Sequence, residues 1–418
     1  MIEIAIIGLG YIGLPLAVEF GKKFKVIGFD TDKKRINELN SNFDKTSEVS
    51  KKEIIESKRT QFTYNVSTVK SCNYKIIAVP TPIYKNKKPD LRILKKAIHG
   101  IKKYINKGDI IILESTVYPG VTEDFCAPLI EKLTSLKFNS DFFMGYCPER
   151  INPGDKKNNL TNINKLVSGS SIQTTNLINK LYKNIIKAKV ISTSSIKVAE
   201  SAKVIENAQR DINIAFMNEI SMIFNKLNID TSEVLKAASS KWNFLNFSPG
   251  LVGGHCISVD PYYLSYIAKK NSILPKIIDK GREVNESVPN FIISNLKRLI
   301  TKKIKKKNIK ILLMGITFKE NCPDIRNSKS IDIYRKLESK KYNVTVFDPF
   351  YMEKKQQITK INFTVNPKKK YYDVIMINVN HDYFYSLGLE KIKEFGKKKS
   401  LLFDLRSMFE KDKSDFRL

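Results

Sequence analysis

The chain has no CxxC pair. Its five cysteines, Cys72, Cys126, Cys147, Cys256 and Cys322, are an odd number without metal-ligand spacing, so neither a metal site nor a disulfide framework is expected. Free thiols suit a reducing compartment. No uninterrupted apolar stretch approaches the roughly 20 residues that span a bilayer. The N-terminus opens on a strand-like run, Ile4 to Ile7, with neither the basic start nor the cleavage site of a signal peptide. The expectation is a soluble, cytoplasmic protein with no membrane role. Short-period repeats and low-complexity linkers are also missing, which argues against solenoids and disordered tethers.

Acids are the scarce charge: 42 Asp+Glu stand against 73 Lys+Arg, a formal net charge of +31. Such a field attracts polyanions, anionic membranes and phosphorylated substrates. The lysines are scattered along the whole chain among many Ile and Asn, as an AT-rich coding sequence produces without selection for binding. The densest run, Lys302, Lys303, Lys305, Lys306 and Lys307, has no interleaved aromatics on which bases would stack. No nucleic-acid partner is expected. What remains is a globular composition, 42% hydrophobic and 28% charged over 418 residues, more than one core usually supports.

From Met1 to about residue 190, short Ile- and Val-rich runs alternate with amphipathic stretches, the pattern of a parallel sheet covered by helices. Strands are predicted at Ile4–Ile7, Lys25–Phe29, Lys75–Val79, Ile110–Leu113 and Phe142–Tyr146. A second alternation predicts strands at Lys310–Met314, Val344–Phe347, Val374–Ile377 and Leu401–Phe403. Between them, helical periodicity with a long apolar face (Ile212, Ala215, Phe216, Ile220, Ile223) reads as a connector and a natural dimer surface. The predicted fold is α/β, with two Rossmann-like doubly wound domains, 1–193 and 305–418, joined by a central helical domain, 194–304. The first would bind the dinucleotide and the middle would carry the catalytic loop and dimer contacts.

Ile4 to Gly13 joins a predicted strand to a predicted helix through Gly8-Leu9-Gly10-Tyr11-Ile12-Gly13, and Asp30 closes the second strand. Gly8 permits the tight turn, Gly10 lets a pyrophosphate approach the backbone, and Gly13 lets helix and strand pack closely. The helix N-terminus offers unpaired N–H groups to phosphate. Asp30 accepts from ribose hydroxyls and repels a 2′-phosphate, which predicts NAD rather than NADP. Arg35 is counted with these contacts, as are Pro80, Thr81, Ser115 and Thr116, which follow predicted strands at the edge where doubly wound sheets bind ligands.

A second segment, Gly250 to Pro261, sets Cys256 in a glycine-rich loop behind Gly253, Gly254 and His255. A lone cysteine is usually a small buried hydrophobe, and the other four keep that reading. This loop, together with Phe318-Lys319-Glu320-Asn321-Cys322-Pro323-Asp324-Ile325-Arg326, resembles the UDP-glucose/GDP-mannose dehydrogenase family, and the likeness extends over nearly the whole chain. Thr116-Val117-Tyr118-Pro119-Gly120, Cys147-Pro148-Glu149-Arg150-Ile151-Asn152-Pro153-Gly154 and Gly253-Gly254-His255-Cys256 resemble the branch acting on UDP-N-acetylhexosamines.

The resemblance implies a four-electron oxidation with NAD, in which Cys256 captures an aldehyde and passes through a thioester. It further implies that Lys203 and Asn207, one helical turn apart, hold the C6 oxygen. Proton handling and hydrolysis fall to Thr116, Glu149 and Asp260, with Glu149 the candidate for hydrolysis and Asp260 ordering Lys203 and a water. Implied substrate contacts are Glu149, Arg150, Ile151, Asn152, Lys203, Asn207, Phe247, Gly250, Gly253, Lys319 and Arg406, with Arg282 reaching across a dimer. Arg326 is implied at the cofactor. His255, adjacent to Cys256, is left out because neighbouring residues point apart. Val259 stands where the glucose-specific branch has a lysine, so that contact does not carry over. The expected substrate is UDP-N-acetylglucosamine or UDP-N-acetylgalactosamine, feeding capsule or O-antigen synthesis in a homodimer or higher oligomer. UDP-glucose, GDP-mannose and UDP-N-acetylmannosamine are the alternatives, and a non-catalytic NAD- or nucleic-acid-binding protein is disfavoured by the intact cysteine site.

Overall fold

The computed structural model describes residues 1–151, 158–306, 308–351 and 361–418. Its contacts define two compact units: Met1–Glu206 with Tyr262–Ile273, and Asn207–Pro261 with Leu274–Leu418.

The first unit is built on eight strands: β1 (Glu3–Ile7), β2 (Lys25–Phe29), β3 (Thr60–Thr63), β4 (Tyr74–Ile77), β5 (Ile110–Leu113), β6 (Phe143–Tyr146), β7 (Lys165–Gly169) and β8 (Val190–Ser192). They line up as β3-β2-β1-β4-β5-β6-β7-β8, all parallel except the β6–β7 pair. The continuous aliphatic runs follow from burial on both faces. Ile4, Ile6, Ile76, Ile110 and Ile112 enter one core layer, while the intervening Ala5, Ile7, Ile77, Ile111 and Leu113 enter the other. The order reverses between β1 and β4, the switch point where such sheets open a crevice at their carboxyl edge.

The second unit carries β9 (Lys310–Met314), β10 (Asn343–Phe347), β11 (Tyr372–Ile377), β12 (Gly396–Asp404) and β13 (Phe416–Arg417). Their order is β10-β9-β11-β12-β13, all parallel, with its own switch point between β9 and β11. Alternation again feeds two layers, Ile311, Leu313, Val374 and Met376 on one side and Leu312, Met314, Ile375 and Ile377 on the other.

The middle of the chain is helical, with a 32-residue helix Ile196–Leu227, Asp260–Lys270 and Lys276–Leu299. Among the described residues no helix is long and apolar enough to cross a membrane, and no cluster of metal-binding side chains occurs.

Candidate active site

At the end of β1 the chain turns through Gly8, whose φ of 95° is left-handed and closed to most side chains. A Cβ on Gly13 would overlap the Gly8 carbonyl oxygen, so helix Gly13–Gly21 and the turn meet backbone to backbone. A Cβ on Gly10, in contrast, would meet open space. The turn is held from three directions. Gly8 donates to the Phe29 carbonyl at 2.8 Å, Leu9 N–H donates to Asp30 Oδ2 at 2.9 Å, and Arg35 Nε donates to the Leu9 carbonyl at 2.9 Å. Arg35 is buried and pairs with Asp44 at 2.8 Å, yet its two terminal nitrogens find no acceptor in hydrogen-bonding direction.

Tyr11 and Ile12 lead into the helix, whose N-cap Ile12 supplies no side-chain acceptor and whose first turn has no acid. Leu14 N–H donates to the Gly10 carbonyl at 3.2 Å and Pro15 has no N–H, so an anion here would meet the positive end of the helix at the Gly10–Gly13 backbone. At the neighbouring strand ends, Thr81 Oγ1 donates to the Thr116 carbonyl at 2.6 Å, and Ser115 Oγ to the Val79 carbonyl at 2.7 Å. Thr81, next to Pro80, also accepts from the Tyr263 hydroxyl. A glycine turn with open space above it, an uncapped helix start and an acid with acceptor capacity left fit a dinucleotide.

In the same unit, Glu149 is buried beyond β6. Its Oε1 accepts the N–H groups of Arg150 at 2.6 Å and Ile151 at 2.7 Å, and its Oε2 lies 3.4 Å from Lys165 Nζ. Arg150 turns its guanidinium to Glu206 at 2.6 Å and to the Asn164 carbonyl at 3.1 Å. Asn152 lies outside the described residues. Lys203 is buried on helix Ile196–Leu227. One turn earlier, Glu200 accepts from Gly120 N–H at 2.5 Å and from Thr122 N–H and Oγ1 at 2.9 and 2.6 Å, which fixes the loop that follows Thr116. Burial pushes Glu200 up to about 7, against the pull of those hydrogen bonds.

In the second unit, Asn207 Nδ2 donates to Asp260 Oδ2 at 2.6 Å. Cys256 is exposed, on a turn whose Cys256 carbonyl accepts the N–H groups of Val259 at 3.0 Å and Asp260 at 2.8 Å. That turn leads straight into helix Asp260–Lys270. Before it, Gly254 has φ 85°, and a Cβ there would come within 2.7 Å of the Phe318 ring. Its carbonyl accepts from Ser258 Oγ at 2.6 Å and Asn327 Nδ2 at 3.2 Å. The cysteine loop is thus stitched to the Phe318–Arg326 segment that the sequence also singles out. His255 packs edge-on against Phe318, 3.8 Å from Asp324, and burial lowers its pKa.

Gly250 is pinned at both backbone atoms by Asn218, at 2.8 and 3.1 Å, and a Cβ there would collide with the Arg406 guanidinium. A Cβ on Gly253 would come within 2.5 Å of the Asn327 carbonyl oxygen. Phe247 and Lys319 are half-buried. Arg326 grips Asp324 in a bidentate pair, Nε to Oδ1 at 3.0 Å and Nη2 to Oδ2 at 2.6 Å, and stays half-exposed. Arg282 is buried, ion-paired to Asp211 at 2.6 Å and to Glu286 at 2.5 Å within this unit.

Within the first unit the structure therefore gathers Gly8–Gly13, Asp30, Arg35, Pro80, Thr81, Ser115 and Thr116 at one sheet edge. Within the second it gathers Cys256, Asn207 and Asp260. Sequence reasoning passes over Glu114, Lys165, Glu200 and Asn218, because an isolated charge or amide carries no motif.

Models of the UDP-glucose/GDP-mannose dehydrogenase family match in three parts: the NAD-binding domain over residues 2–186, the central domain over 197–287 and the UDP-binding domain over 312–411. The UDP-N-acetyl-D-glucosamine 6-dehydrogenases of Pseudomonas aeruginosa and Salmonella typhi are each 49% identical over 419 aligned residues, covering 100% of this chain and 99% of theirs. Among solved structures, the UDP-D-ManNAc dehydrogenase of Pyrococcus horikoshii superposes with a TM-score of 0.90 at 30% identity, over 100% of this chain and 98% of that one.

Proposed function

Because the chain belongs to the UDP-glucose/GDP-mannose dehydrogenase family, and is thereby an NAD-dependent oxidoreductase, we propose that it oxidises the C6 hydroxyl of a UDP-N-acetylhexosamine to the carboxylate. UDP-N-acetylglucosamine is the foremost substrate and UDP-N-acetylgalactosamine the next. The observation that carries the substrate is full-length likeness, at 49% identity, to enzymes named for UDP-N-acetylglucosamine. The N-acetylmannosamine enzymes are more distant, at 30% for the solved structure.

Bound NAD, held by Gly8–Gly13, Asp30 and Arg35, supplies the hydride acceptor for both oxidations. The remaining chemistry belongs to side chains. Lys203 and Asn207 donate to the C6 oxygen as negative charge grows there, a contribution of about 3 kcal/mol per donor in comparable sites. Asp260 accepts one N–H of the Asn207 amide at 2.6 Å, which orients that amide and leaves its second N–H as the donor to the C6 oxygen. Cys256 adds its sulfur to the C6 aldehyde, and the thiohemiacetal is oxidised in turn to a thioester. Glu149 takes a proton from water, whose oxygen attacks the thioester carbon, and the C–S bond breaks to release the acid and the thiolate. Thr116 is assigned to order that water. Arg150, Phe247, Lys319 and Arg406 are assigned to the UDP-sugar, with Arg406 suited to the diphosphate by its planar fork.

The same reading makes the protein a cytoplasmic homodimer or higher homo-oligomer serving capsule or O-antigen synthesis. Support for the dimer comes from Phe216, Ile223 and Leu227, which stand exposed beside a hollow of about 440 Å³ lined by Met222, Ile223, Leu227 and Phe291.

The test is NADH formation with UDP-N-acetylglucosamine, UDP-N-acetylgalactosamine, UDP-N-acetylmannosamine and UDP-glucose, each limiting. Two NADH per N-acetylglucosamine sugar and little from UDP-glucose are expected. Cys256→Ala should lose acid formation by at least about 100-fold. One NADH per sugar, or acid at the wild-type rate from the variant, would remove the thioester route.

A further inference from the structure

Behind Glu149 lies a buried cluster for which the oxidation has no use. Lys165, the first residue of β7, is almost fully buried. Its Nζ lies 2.7 Å from Glu114 Oε2, 3.1 Å from the Pro148 carbonyl and 3.4 Å from Glu149 Oε2. An ammonium has three N–H donors, and these are three acceptors for them. Glu114, just beyond β5, is also completely buried, and its second oxygen accepts from the Tyr182 hydroxyl. Glu149 is held from the other side by the N–H groups of Arg150 and Ile151.

Two carboxylates therefore share one ammonium out of contact with water. Burial pushes Glu114 up to about 7, with Lys165 pulling it down and the charge of Glu149 adding to the rise. Burial also opposes the charge on Lys165, but the two carboxylates override it and raise its pKa. Among the described residues, the other titratable groups that face the cluster are the Cys147 thiol and the Tyr182 phenol, which burial keeps protonated. Arg150 spends its guanidinium on Glu206 and the Asn164 carbonyl. Among the described residues, Lys165 is the cation in contact with Glu149.

We propose that Lys165 and Glu114 are positioning residues for the hydrolytic step: Lys165 donates to Glu149 Oε2 and aims it, and Glu114 sets the strength of that contact by competing for the same ammonium. The inference rests on the reading of Glu149 as the base. When Glu149 takes the proton of the attacking water, its claim on the ammonium weakens and Lys165 is left to Glu114 and the Pro148 carbonyl.

Single turnovers over a range of pH, following thioester on the protein by intact mass and free acid by chromatography, distinguish this from a packing role. Lys165→Met should accumulate thioester and move the acid limb of hydrolysis up by about one pH unit or more. Glu114→Gln, which keeps the volume and leaves the ammonium to Glu149 alone, should move it down. The first NADH and the KM for the UDP-sugar should change less than about threefold in both. Lys165→Arg should restore part of the hydrolytic rate. If Lys165→Met does not fold, the downward shift in Glu114→Gln decides alone. Equal losses at every pH with the limb in place, or shifts of the same sign in both variants, would overturn the inference. Glu149→Gln separates the two levels. Hydrolysis at the wild-type rate in that variant removes the role of Glu149 and this inference with it. A slow Glu149→Gln with unmoved limbs in the other two removes only the inference.

Discussion

Glu200 is the acid on which the Thr116 loop hangs, and its protonation makes a consequence for stability measurable. Its folded value of about 7 lies above the ordinary 4.5. The folded protein therefore holds a proton that the unfolded chain has already released between those values. The stability this proton contributes is present at low pH and is lost as pH rises through about 7. Relative to Glu200→Gln, whose amide does not titrate, the wild type should lose stability between about pH 5 and 8, by an amount on the order of a few kcal/mol. Urea melts of both proteins across that range check it, and a pH-independent difference would sink the assignment. Glu114 and Lys165 share with Glu200 the reason they escape a reading of the sequence. Charged side chains are presumed solvated unless something pairs them, and their partners are distant: Lys165 reaches back to Glu114 and Glu149, and Glu200 to Gly120 and Thr122. The glycine turn and Cys256 are legible because a local motif states the chemistry within a dozen residues.

Helix Ile196–Leu227 shows what periodicity conveys and what it withholds. At 3.6 residues per turn, Glu200, Lys203, Asn207, Asp211 and Asn218 fall on one stripe, and four of these five polar residues are buried. Val198, Ile205, Phe216, Ile223 and Leu227 fall on the opposite stripe and are exposed. The sequence declares the polar stripe, but it lies inside among the buried Ile196, Ala199, Val204, Ala208, Ala215 and Met217, and a second apolar stripe is left outside. An exposed aliphatic stripe of this length calls for a cover, and a second copy of the chain supplies the same stripe. Ile223→Glu should shift sedimentation from dimer towards monomer at micromolar protein, whereas Glu233→Gln, at an exposed acid on another helix, should not. A wild-type monomer, or a variant still fully dimeric, would refute this surface as the contact. The strands divide in the same way between legible and not. Those of Ile, Val and Leu, such as β1, β5 and β9, are read to within a residue. β3, with the sequence TQFT at the sheet edge, and the two-residue β13 have no apolar run to announce them.

At the scale of the whole molecule, two largely parallel sheets with two switch points suit a reaction that handles two nucleotides, and both are visible as repeated aliphatic alternation. The division of the middle helices between compact units is not visible, because it depends on which contacts outnumber which and not on any local pattern. Charge is the remaining global property. A net +31 spread along the chain raises the local concentration of a small diphosphate. Screening acts on approach more than on chemistry, since the Debye length shrinks from about 10 Å at 0.1 M salt to about 3 Å at 1 M. With UDP-N-acetylglucosamine, kcat/KM should accordingly fall several-fold between about 0.05 and 0.5 M potassium chloride while kcat stays within about twofold. A kcat/KM indifferent to salt would show that the lysines, for all their number, present no net field to the substrate's path.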